Sequence, residues 1–183
     1  MTGEEIVRQA RKASRDFQLT SGKSRKFSGA MTAELMKSAL ENEGIPASAR
    51  DVFIRGLPFE IDLIVPYPGE KPTFGLLYEP QQVAVALEIK KTGSFGGQGL
   101  QTIRELFGQL RCLKVACAYV SLEDRKNYRH RPTYKNLGRH QCYTLAWHDD
   151  TDGPFKDTRH WERFLAFIRM RMSVRHSRRR IDL

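Results

Sequence analysis

The segment Gln82-Val83-Ala84-Val85-Ala86-Leu87-Glu88-Ile89-Lys90-Lys91 narrows the folds open to this chain more than any other. It is rich in β-branched residues and has no Gly or Pro, so it reads as a strong strand. Period two sets Val83, Val85, Leu87 and Ile89 on one face. Ala84, Ala86, Glu88 and Lys90 take the other. An apolar strand that ends in two same-side charges needs a reason for them, because unpaired buried charge is costly.

The flanking segments supply a sheet for that strand to join. Residues 2–17 read as a polar helix with a thin apolar stripe of Ile6, Ala10 and Ala13, expected to pack loosely. Residues 19–28 read as a basic linker. Gly22-Lys23-Ser24 is not a phosphate loop, because Phe17 stands where the earlier Gly is required. Ser28 is the expected N-cap of a helix to Glu43, stopped by Gly44. Strands are expected over Asp51–Arg55 and Phe59–Val65, with an irregular, flap-like stretch over 70–81. A Gly-rich turn over 92–97 leads to a helix over 98–111, with Ile103, Leu106, Phe107 and Leu110 at helical spacing. An apolar strand over 113–122 reads as central in the sheet. A long polar connection over 123–140, a strand over 141–148 and a helix over 157–172 complete the order. This order implies an α/β fold with a central mixed β-sheet flanked by helices. The expected division is a basic N-terminal helix and linker (1–27), one main domain (28–172) and an Arg-rich tail (173–183).

Composition narrows the function. The 183 residues are 40% hydrophobic and 28% charged, enough for one globular domain with a core. Lys and Arg total 31 against 21 Asp and Glu, for a net charge of +10. Such a surface attracts a polyanion, nucleic acid above all. No apolar run approaches the roughly 20 residues of a membrane span, so no membrane partner is expected. The start of the chain has no basic-then-apolar signal, and a cytoplasmic location is the expectation. Cys112, Cys117 and Cys142 read as small buried hydrophobes in a reducing compartment, not as a disulfide or zinc framework.

In Phe59-Glu60-Ile61-Asp62-Leu63-Ile64-Val65, alternation puts Ile61, Leu63 and Val65 on one face, with Glu60 and Asp62 on the other. If this strand pairs with 82–91, Asp62 comes within reach of Glu88, with cross-strand Cβ atoms about 4.5–5.5 Å apart. Two carboxylates that close repel unless a cation lies between them. Mg²⁺ suits oxygen donors and keeps positions open for water and phosphate. Lys90 adds positive charge beside a bound phosphate. The plainer reading is a structural salt bridge of Lys90 with Glu88 or Asp62.

Asp62 followed by Glu88-Ile89-Lys90 resembles the signature of the PD-(D/E)xK nucleases, which share the restriction-endonuclease-like fold. Ser28-Gly29…Glu34…Gly44-Ile45 is similar to the opening helix of Holliday-junction resolvases and Mrr-type enzymes. Residues 103–110 resemble the helix after the catalytic strand in that group. The resemblance covers about residues 28–122. It departs at the Pro of the family name, where Glu60-Ile61 precedes Asp62, and in the long stretch from Asp62 to Glu88. It implies metal-dependent hydrolysis of DNA phosphodiesters. Glu34, Asp62, Glu88 and Lys90 would be catalytic. Asp62, Glu88 and the Ile89 backbone carbonyl would hold Mg²⁺, with Mn²⁺ able to substitute and Glu34 joining through water. Glu34 also reads as a solvated helix carboxylate, with Glu41 and Glu43 on the same helix.

Basic residues divide into three stretches, over 8–26, 125–139 and 169–180. The middle one interleaves Arg125, Lys126, Arg129, Arg131 and Lys135 with Tyr128 and Tyr134, a mixture that suits phosphate contacts and base stacking. Those residues, with Lys91 and Gln98, are the candidate DNA contacts, while Gln98 and Gln101 also read as exposed helix polars. His148-Asp149-Asp150 is explained by turn chemistry. A homodimer would serve two cuts in a duplex. The competing reading is an inactive DNA-binding or assembly protein on the same fold.

Overall fold

A computed structural model describes residues 1–21, 25–92, 97–125, 137, 142–149 and 154–179. The chain runs α1 (Gly3–Ser21), α2 (Arg25–Asn42), β1 (Val52–Ile54), β2 (Glu60–Ile61), β3 (Leu63–Pro66), β4 (Leu77–Tyr78), β5 (Val83–Thr92), α3 (Gly97–Cys112), β6 (Ala116–Arg125), β7 (Cys142–His148), β8 (Phe155–Asp157) and α4 (His160–Arg179). Five strands form the main sheet in the order β3-β5-β6-β7-β8. The outer pairs β3–β5 and β7–β8 are antiparallel, and β5–β6–β7 are parallel. The sheet is therefore mixed, with β6 at its centre as expected. A smaller sheet, β2-β1-β4, stands beside it.

Two hydrophobic clusters cover the two faces. One joins Val85, Leu87 and Ile89 of β5 to Ile6 and Val7 of α1, Met36 and Leu40 of α2, and Trp161 and Phe164 of α4. The other joins Ala86 to Ile103, Phe107 and Leu110 of α3 and to Val52, Ile54 and Ile61 of the small sheet. Helix α1 does not pack loosely. Thr2 and Glu5 cap it reciprocally, at 3.2 and 2.7 Å. Ile6, Val7 and Ala10 are buried, with Val7 in place of the expected Ala13. Helix α2 begins at Arg25, so Ser28 lies inside it and is not its cap. Its end is the expected one. Gly44 takes φ 72°, and the N–H of Ile45 reaches the Leu40 carbonyl at 3.0 Å.

Two strands depart from simple alternation. The single strand expected over 59–65 breaks at Asp62, so Ile61 pairs with Val52 in the small sheet and does not share a face with Leu63 and Val65. In β5, Val85 pairs with Val65 but Val83 pairs with Pro66, leaving Ala84 as a bulge. Val83 therefore joins the α3 side, while Ala84 and Val85 both face the other way. The flap expected over 70–81 is instead pinned. Gln82 Nε2 donates to the Lys71 carbonyl at 2.8 Å, and Gln82 Oε1 accepts the Glu79 N–H at 2.7 Å. Strand β8 was not legible, and α4 begins later and runs further than the helix expected over 157–172. Among the described residues no helix is long and apolar enough to cross a membrane.

Candidate active site

Strand pairing brings the key residues together. β3 and β5 run antiparallel, with Leu63 opposite Leu87 and Ile64 opposite Ala86. One step further, that register sets Asp62 opposite Glu88, and there the backbone bends out of the sheet. Asp62 Oδ2 accepts the backbone N–H of Ile89 at 2.7 Å and the Lys90 ammonium at 3.2 Å. Lys90 Nζ lies 2.5 Å from Glu88 Oε1. One ammonium thus holds two carboxylates, with Lys90 33% and Glu88 12% exposed.

The electrostatics follow from this crowding. Burial pushes the Glu88 carboxyl above its ordinary value, and Asp62 adds to the rise, while Lys90 opposes both. Burial pulls Lys90 downward, but Glu88 and Asp62 outweigh it and leave Lys90 above its usual range. Lys90 is therefore favoured as a cation beside the two carboxylates.

The other candidates are placed less centrally. Glu34 is exposed and lies 3.7 Å from Arg50, which is itself 3.6 Å from Asp51. The Asp51 N–H donates to the Asp62 carbonyl at 3.3 Å, so a chain of contacts links Glu34 to the site. Among the described residues, no group of three His, Cys, Asp or Glu side chains is gathered to hold a metal, so Glu34 does not join Asp62 and Glu88 in one cluster. Lys91 leaves the site and donates to Ser14 of α1 at 3.1 Å. Gln101 is engaged along its own helix with Glu105 at 2.8 Å. Arg125 is exposed at the end of β6, at the same end of the sheet as Lys90. The side chain of Gln98, and Lys126, Tyr128, Arg129, Arg131, Tyr134 and Lys135, lie outside the described residues.

Several basic residues are occupied internally. Arg8 pairs with Glu4 at 2.6 Å, and Arg169 with Glu43 at 3.3 Å. Arg11 pairs with the buried Glu123 at 2.7 Å and lies over the Phe155 ring. Cys117 and Cys142 are buried as expected, and burial pushes both thiols up to about 12, which leaves no thiolate for nucleophilic chemistry. Cys112 is exposed, contrary to expectation, because it falls on the last, solvent-facing position of α3. Sequence reasoning missed Arg50, Asp51 and the buried Ser48. Ser48 Oγ accepts the Ile64 N–H at 3.0 Å and ties the α2–β1 connection to β3. A Ser among small residues in a loop carries no periodic signal.

The chain is similar to the solved structure of P. aeruginosa ATCC27853 NucC in its cAAA-bound form. The TM-score is 0.59 and the identity 10%, over 92% of this chain and 89% of that one. This chain has the restriction-endonuclease-like fold. At this identity the likeness speaks for the fold alone. No family model and no curated protein matches the chain.

Proposed function

We propose that the chain is a metal-dependent endonuclease that hydrolyses phosphodiester bonds in DNA. One observation carries the reading. Asp62 and Glu88, from antiparallel neighbours, are drawn onto a single ammonium at the half-exposed end of β5. The restriction-endonuclease-like fold shared with NucC supports it.

The residues fit a divalent cation by their donor chemistry. Asp62 and Glu88 offer only hard oxygen donors, and with Lys90 the trio has one more negative than positive charge. Burial, and after it Asp62, raise the Glu88 carboxyl, and a cation between the two carboxylates would ease both. Asp62, Glu88 and the Ile89 carbonyl would hold Mg²⁺, with Mn²⁺ able to replace it. Such an ion, when bound, supplies a polarised water and neutralises phosphate charge. Asp62 is held to the Ile89 N–H and so presents its carboxylate in a fixed direction. Lys90 keeps its proton and stabilises negative charge growing on the phosphate oxygens. Glu34 sits at the outer margin, where Arg50 restrains it. Gln98, Arg125, Lys126, Tyr128, Arg129, Arg131 and Lys135 are proposed as DNA contacts, whereas Lys91 is engaged by Ser14. The net charge of +10 favours phosphate binding that weakens as salt rises.

The test is a panel of supercoiled plasmid, single strands and a four-way junction, each with Mg²⁺, Mn²⁺ or EDTA. Calorimetry with Mn²⁺ runs alongside. Metal-dependent cutting with measurable Mn²⁺ binding supports the enzyme. DNA binding without cutting or metal binding leaves a DNA-binding protein on the same fold.

A further inference from the structure

Three of the exposed apolar side chains belong to one small segment. Among the described residues the exposed large hydrophobics are Met1, Leu19, Phe53, Phe74, Leu76, Met170 and Val174. Phe53, Phe74 and Leu76 lie on or beside the small sheet. Phe74 is 81% exposed. It sits on a tight turn, where Leu77 N–H donates to the Phe74 carbonyl at 2.8 Å and Gly75 takes φ 55°. Phe53 lies opposite Leu77 in the register, and its N–H donates to the Leu76 carbonyl at 3.0 Å. With Gln82 pinning the stretch below, Phe74 projects as a knob on a fixed base. Three exposed apolar side chains within one small segment suit an interaction surface.

On the other face of the main sheet lies a complementary socket. A cavity of about 540 Å³ opens between α4 and the first residues of β6 and β7, lined by Cys117, Tyr143, Arg163, Phe167, Met170 and Arg171 among others. Tyr143 and Phe167 supply an aromatic wall, with ring centroids 6.1 Å apart. Among the described residues Arg163 has no hydrogen-bond or ion-pair partner, and Arg171 only covers the Phe167 ring at 5.5 Å. The lining has two cations and no carboxylate.

The knob side carries one uncompensated negative charge. Of the five carboxylates in residues 51–82, Asp51, Asp62 and Glu79 are paired with Arg50, Lys90 and Arg55. Glu60, opposite Phe53 in the register, has no ion-pair partner among the described residues. The small sheet packs on the α3 side, whereas Tyr143 and Phe167 belong to the cluster on the opposite face. A chain therefore cannot seat its own knob in its own socket.

We propose that the chain associates with further copies of itself, the Phe74 knob of one entering the α4 socket of another. The Glu60 side of the knob then faces Arg163 and Arg171. The contact joins two different surfaces, so repetition gives a ring or an open array, unless two copies exchange knobs reciprocally. This inference is independent of the nuclease reading.

Sedimentation velocity tests it, in EDTA and after removal of nucleic acid, over two decades of protein concentration. Phe74→Glu spoils the knob, and the double variant Arg163→Glu/Arg171→Glu spoils the socket. All three positions are exposed, so the variants should melt as the wild type does. The wild type should associate, and each variant alone should associate at least about tenfold more weakly. An equimolar mixture of the two variants should yield a dimer that neither forms alone, because it restores one intact knob with one intact socket. A monomeric wild type, a variant that associates like the wild type, or a mixture with no dimer overturns the proposal.

Discussion

Asp62 Oδ2 accepts the N–H of Ile89, the residue between Glu88 and Lys90, at 2.7 Å. The side chain takes the place of a ladder partner where the backbone leaves the sheet. Asp62 therefore has a structural duty as well as a proposed catalytic one. Asp62→Ala orphans a buried N–H and should cost about 1–3 kcal/mol. Asp62→Asn keeps an acceptor and should melt close to the wild type. Both should lose cleavage. Thermal melts beside a cleavage assay separate the two duties, and equal destabilisation by both changes would contradict this role for the hydrogen bond.

Glu88 is ionised at a cost. Burial first, and then Asp62, raise its carboxyl above the unfolded value. As pH rises, the unfolded chain releases this proton first. Between the two values the folded state holds more protons, so stability falls with pH, and above the folded value the full cost remains. Glu88→Gln escapes it. At neutral pH the variant should be more stable on the order of 1 kcal/mol, with no cleavage. Its advantage should fade in acid, where Glu88 is protonated. Melts across a pH series check this, and a variant less stable than wild type at neutral pH contradicts burial as the leading cause.

Lys90 occupies the position between the carboxylates. Lys90→Ala leaves Asp62 and Glu88 facing one another and should destabilise by about 1–3 kcal/mol. The same variant should gain more thermal stability from Mn²⁺ than the wild type, because a cation that binds only the folded state stabilises it. An equal or smaller Mn²⁺ shift in the variant would count against the paired carboxylates as a cation site.

Arg11 is a structural residue inside a basic stretch. Its pairing with Glu123 joins α1 to β6, at 18% and 8% exposure. Arg11→Ala should cost about 3 kcal/mol and change DNA affinity little. Replacing Lys12 and Arg15, on the same helix, with Ala should do the reverse. Melts and a salt-titrated binding assay separate the two groups.

Much of this was legible in order and pattern. Ten residues of β5 without a breaker, the stop at Gly44 and the helical spacing from Ile103 to Leu110 all rest on local physics. The shared face of Glu88 and Lys90 followed from period two alone. The bulge at Ala84 was not legible, because it arises from how β3 meets β5. Strands β2, β4 and β8 are two or three residues long and carry no periodicity. Burial of α1 depends on Val7 meeting a surface formed by distant segments. Arg50 and Asp51 join the site through a loop whose path only the tertiary fold defines.

The most direct measurement is nicking of supercoiled plasmid by wild type, Asp62→Asn and Glu88→Gln, each first shown to be folded. The wild type should nick DNA with Mg²⁺ or Mn²⁺ and not with EDTA, and both variants should be inert. Nicking by the folded variants at the wild-type rate, or none by the wild type with either metal, would contradict a metal-dependent nuclease centred on Asp62, Glu88 and Lys90.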